Sequence, residues 1–175
     1  MYLPPKDKNN IITEHGFSGL PEYYPTPKGI EDMLFYIQRN QNTNTIVYQI
    51  NRNSFGEINN SDPINVFWKQ YNDNGKEKQL NYIQRKLAYG YEFQDINIEV
   101  TQIQIVAYPQ YKIYITKKDF GIYKALSKIN NIWAELLNVY VFANESGAFP
   151  VVKYIELYGQ EVDSKLPCYE KIIVD

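Results

Sequence analysis

From Leu34 onward the chain breaks into short runs in which apolar and polar side chains alternate, each run ended by residues that turn the backbone. No other property restricts the possible folds so tightly. A period of two places apolar side chains on one face of a strand, and an amphipathic helix needs a period near 3.6. Residues 45–51 put Ile46, Tyr48 and Ile50 on one side, with Val47 and Gln49 on the other. Residues 64–71 set Ile64, Val66 and Trp68 opposite Asn65, Phe67, Lys69 and Tyr71. The run 34–40 and the turn Gln41-Asn42-Thr43-Asn44 make the first two strands a hairpin. Asn72-Asp73-Asn74-Gly75 ends the third, its Asn-Gly pair supplying positive φ at low cost.

Residues 78–89 follow a different rule. Leu80, Ile83 and Leu87 recur at spacings of three and four, as do Tyr82, Lys86 and Tyr89, and Gly90 stands where a helical C′ residue belongs. This predicts one short helix, set against the alternative of a strand running from Lys78 to Arg85. After Gly90 strands return, at 91–100, 102–108, 111–116, 122–128, 132–142, 151–158 and 168–174. Pro109-Gln110, Lys118-Asp119-Phe120-Gly121, Asn130-Asn131, Glu145-Ser146-Gly147 and Asp163-Ser164 supply turns between them. Residues 1–33, with five prolines and three glycines, lack periodicity and read as an extended N-terminal arm. The expected fold is therefore mainly β: an antiparallel meander forming a calycin-like barrel or a sandwich, with one helix, over a single domain at 34–175. Seventeen Tyr in a chain that is 15% aromatic agree with this, since aromatic residues favour strands.

Charge and rare residues exclude several chemistries. A net charge of −2 does not provide the basic face that nucleic acid requires. A single histidine, His15, and a single cysteine, Cys168, leave no histidine- or thiolate-based metal site and no intrachain disulfide. A Cys-His dyad would need the arm to fold across the C-terminal strand. Glu31-Asp32 and Glu92 with Asp95 are acid pairs without the spacing of a defined hydrolase, and Gly16-Phe17-Ser18-Gly19 is a fragment of no phosphate loop. No cofactor is implied. No run approaches the roughly 20 apolar residues of a membrane span. The first ten residues are polar, so the chain is expected to be cytoplasmic as written, or exported if a leader has been removed.

The phrase Tyr-Ile-Gln-Arg occurs twice, at 36–39 and at 82–85. The first copy leads into Asn44-Thr45-Ile46-Val47-Tyr48; Pro63-Ile64-Asn65-Val66-Phe67-Trp68 follows, and the second copy continues as Lys86-Leu87-Ala88-Tyr89-Gly90. This ordered set resembles the bacterial family DUF4833, common among Bacteroidetes, over roughly residues 34–160. Many members of that family look secreted or lipoprotein-like. The resemblance implies a fold and brings no reaction and no catalytic residues.

The candidate site is built on the repeated phrase. An arginine among aromatic rings can stack on them and still offer a bidentate fork to an anion. Arg39, Gln84, Arg85 and Lys86 would meet a small anionic or hydroxylated ligand, between walls of Tyr36, Trp68 and Tyr89, in a cavity of roughly 300 Å³ or more. Against this stands the reading that these polar heads bond backbone carbonyls and fix the helix to the sheet. Three functions follow: a non-enzymatic binding domain for an unidentified small molecule; a structural or protein-interaction module, self-association included; and an enzyme using carboxylates and tyrosines.

Overall fold

The computed structural model describes residues 25–40, 42–144 and 151–174. Eleven strands form a single sheet curled into a half-barrel. They are β1 (Met33–Arg39), β2 (Asn42–Ile50), β3 (Ile64–Gln70), β4 (Lys76–Gln79), β5 (Tyr91–Asn97), β6 (Val100–Ile105), β7 (Ile113–Lys117), β8 (Tyr123–Ile129), β9 (Ile132–Asn144), β10 (Val151–Glu161) and β11 (Pro167–Ile173). One helix, α1 (Tyr82–Leu87), joins β4 to β5.

The turn residues act as read. Asn130 and Asn131 both take positive φ, 52° and 64°, in the two-residue link that pairs Ile129 with Ile132. Asn74 and Gly75, at 55° and 74°, turn β3 back into β4. The expected strand at 91–100 is two strands, β5 and the start of β6, because Asn97 Oδ1 accepts from Glu99 N–H and tightens a turn there. The 145–147 turn and the arm before Pro25, His15 included, lie outside the described residues.

The helix is shorter than expected. Residues 76–79 join the sheet as β4, pairing from Gln70–Lys76 to Phe67–Gln79, because the Asn-Gly turn hands the chain straight back to β3. Helix α1 starts only after Asn81. Its periodic residues Ile83 and Leu87 are 67% and 70% exposed, while Leu80, just before it, is buried in the core. Gly90 is not a left-handed C′ residue either: it is buried, and a Cβ there would sit 1.8 Å from the Arg85 carbonyl oxygen.

The sheet divides at β9. Its first residues pair antiparallel with β8 (Glu135 with Leu126), and later ones pair parallel with β1 (Asn138 with Tyr36). β10 takes the other edge throughout. Two strands thus share one edge of β9 in succession, and the sheet must bend where one gives way to the other. The meander of β1–β4 and that of β5–β8 curl toward each other there. Among the described residues one large core fills the concave side, with Phe35, Ile46, Tyr48, Ile64, Ile103, Ile115, Leu136 and Leu157 among its members. On the convex side Tyr36, Val47 and Phe67 form a second cluster against Ile30 and Met33. β1 is accordingly buried on both faces from Leu34 to Gln38.

The start of the described chain is bound to that convex side. Gln38 Nε2 donates to Pro25 O at 2.7 Å. Asp32 forms a bidentate pair with Arg52 at 2.7 and 2.9 Å, and Arg52 also donates to Gly56 O and Gly121 O. One guanidinium therefore ties three loops together.

Candidate functional site

A half-open cleft of about 250 Å³ lies where the ends of β2 and β3 meet α1. β2 contributes Asn42 and Asn44, β3 contributes Trp68 and Gln70, β4 contributes Lys78, and the helix start contributes Asn81 and Gln84. Alternation puts Trp68 and Gln70 on one side of β3, and the Trp68–Lys78 pairing sets β4 beside them.

The local hydrogen bonds decide which way the amides point. Asn81 Oδ1 accepts from Gln84 N–H at 2.8 Å, and Gln84 Oε1 accepts from Asn81 N–H at 3.0 Å, a reciprocal cap on the helix. The same Gln84 oxygen accepts from Trp68 Nε1–H at 3.2 Å. Asn42 Oδ1 accepts from Asn44 N–H, and Asn44 Oδ1 from Asn72 N–H. An N–H can be met only by the carbonyl end of a carboxamide, so these four orientations are fixed by chemistry. Every one of the four spends its oxygen on the fold. Their NH₂ groups donate to nothing among the described residues, and Lys78 forms no ion pair among them; the nearby pair is Lys69 with Glu77, at 3.9 Å. Four of the lining carboxamides thus keep their NH₂ ends unspent among the described residues, beside the Lys78 ammonium, while Gln70 can turn either end of its amide to the cleft.

Of the seven residues singled out from sequence, Trp68 and Gln84 line this cleft. Tyr89 stands behind Trp68, rings edge-to-face at 5.5 Å, and its hydroxyl accepts from Arg39 Nη1 at 3.4 Å. Tyr36 is on the convex side with Val47 and Phe67, so it is no part of the group. Arg85 and Lys86 point to solvent, with the Lys86 ammonium 5.8 Å from the Tyr82 ring centroid. The walls are amides rather than the tyrosines expected, and Trp68 shows only an edge, being 8% exposed. Sequence reasoning missed Asn42, Asn44, Gln70, Lys78 and Asn81. Of these only Asn81 left a signal, as the first residue of an Asn-x-x-Gln cap ahead of the helix.

A second feature was also missed. Glu156 of β10 is fully buried on the convex side, opposite Tyr140 of β9. Its Oε2 accepts from Tyr169 Oη at 2.5 Å and Tyr158 Oη at 3.5 Å. Burial and the neighbouring carboxylate push both phenols up from their ordinary value. Phenols held neutral this way donate to the carboxylate and fix it. Cys168 is half-buried, and burial followed by Glu161 pushes its thiol up to about 11, which leaves little thiolate for nucleophilic work. Among the described residues no group of three or more His, Cys, Asp or Glu could hold a metal ion, and no helix is long and apolar enough to cross a membrane.

The model of a family described as a domain of unknown function (DUF4833) matches residues 35–171. No curated protein matches the chain, and no solved structure matches it.

Proposed function

Because the chain belongs to the DUF4833 family, which carries no reaction with it, we propose a role read from the cleft alone: a non-enzymatic binding domain for a small anionic, acceptor-rich molecule. One observation carries this. Four carboxamides give their oxygens to backbone N–H groups or Trp68 and keep their NH₂ groups for the cleft, beside the Lys78 ammonium. Such a surface favours carboxylate, phosphate or sulfate oxygens, with Gln70 left as an acceptor for a ligand hydroxyl. At about 250 Å³ the space suits a single-ring or smaller ligand, below the usual drug-sized range. Tyr89, its hydroxyl bonded by Arg39, backs Trp68 and adds rigidity to that wall.

Isothermal titration against small carboxylates, phosphates and sulfates tests this, with glucuronate and its uncharged analogue glucose as a matched pair. Glucuronate should bind and glucose should bind far more weakly. Lys78→Ala should weaken glucuronate about tenfold, the effect of one charge-assisted hydrogen bond, and leave the melting temperature unchanged because Lys78 is exposed. Equal affinity for the two sugars would remove the proposal.

A further inference from the structure

The half-barrel is open along one side. β5 ends the strand order and, among the described residues, pairs only with β6. Its residues from Glu92 to Asn97 are all exposed, on both faces of the strand. A strand that covered a core would bury one face, so among the described residues β5 carries an unpaired backbone edge and two exposed faces.

A second cleft, of about 360 Å³, adjoins this strand at the end of β2–β3 opposite the amide cleft. Ile58, Ile98, Ile115 and Tyr123 provide apolar walls, and Asp95 and Glu99 provide two carboxylates. Neither carboxylate forms an ion pair among the described residues, and no Lys or Arg lines the cleft. Ile98 at the rim is 99% exposed, and Phe93 and Ile96 on β5 are 40% and 50% exposed.

The edge, the apolar walls and the uncompensated charge together specify an occupant. Edge N–H and C=O groups are met in register by another extended chain, and the cleft lacks the positive charge its carboxylates would pair with. We propose that an extended segment of a partner protein, alternating basic and apolar side chains, adds to β5 as an extra strand. Its basic residues, all on one face of the added strand, meet Asp95 and Glu99 at the cleft, and its apolar residues, on the other face, cover Ile96. The added strand extends the sheet on its open side.

Fluorescence anisotropy with labelled peptides matching the seven residues of β5 tests this. A Lys/Val-alternating peptide should bind and weaken with added salt, and a Glu/Val peptide should not bind. Methylating alternate backbone nitrogens of the Lys/Val peptide should abolish binding by removing the ladder donors. The double variant Asp95→Asn, Glu99→Gln should lose about tenfold; both residues are exposed, and Asn keeps the acceptor that Thr101 uses, so folding is preserved. Amide hydrogen exchange along β5 should slow in the complex. Binding that ignores peptide charge, survives methylation or is absent altogether overturns the proposal. So does sedimentation with zwitterionic vesicles that Ile98→Ser prevents, which would give this rim to a bilayer.

Discussion

At the scale of single residues, one carboxamide does most to hold the cleft together. The Gln84 side chain caps the start of α1 and accepts from buried Trp68, whereas its neighbour Arg85 is solvated. Gln84→Ala should therefore cost about 1–2 kcal/mol in urea melts, from a lost cap and an indole N–H left without its acceptor. Arg85→Ala should stay within about 0.5 kcal/mol, as surface changes do. A larger loss at Arg85 than at Gln84 would contradict the helix orientation. The repeated phrase drew attention to both residues, but it could not rank them. Rank depends on which way a six-residue helix faces, and its Ile83 and Leu87 period suggested the reverse of the orientation found. Asn42, Asn44 and Gln70 gave no sign, because asparagine and glutamine in strand-end positions read as ordinary turn chemistry.

At the scale of elements, Gly159 marks the bend. It pairs with Leu136 where the β9–β10 register shifts, and β9 changes partner from β8 to β1 just beyond. A Cβ on Gly159 would lie 2.5 Å from the Glu135 carbonyl oxygen and 2.6 Å from Ile129 Cδ1. Neither the backbone nor the packed isoleucine can yield cheaply. Gly159→Ala should destabilise by about 2–4 kcal/mol, measured by chemical denaturation. A near-neutral result would mean that the two strands can part there. Elements with an apolar face were legible in the sequence: β2 and β3 show the alternation expected, and the Asn130-Asn131 turn sits where it was read. β4 was not legible. Lys-Glu-Lys-Gln is exposed throughout and is a strand only because β3 offers it an edge.

For the whole molecule, burial of tyrosines makes stability sensitive to alkali. Burial pushes Tyr36 and Tyr154 up to about 12 from an ordinary value of 10. Between those values the folded protein keeps phenolic protons that the unfolded chain has shed, so stability is complete below pH 10 and falls as pH rises toward 12. Thermal melts should show this decline, with roughly 2 kcal/mol of it traceable to Tyr36, and Tyr36→Phe should flatten the curve. A melting temperature level through this range would refute the burial of those rings. The sequence carried the β-rich class and the family, because periodicity and motifs are local. It could not carry the parallel joining of β1 to β9, whose partners Tyr36 and Asn138 stand 102 residues apart. That joining has a consequence for biosynthesis. The opening hairpin leaves the ribosome early, yet its free flank waits for a ribbon made much later. Sealing the molecule is therefore a late, slow event, and a chain released before β9 emerges would remain unsealed and prone to aggregate.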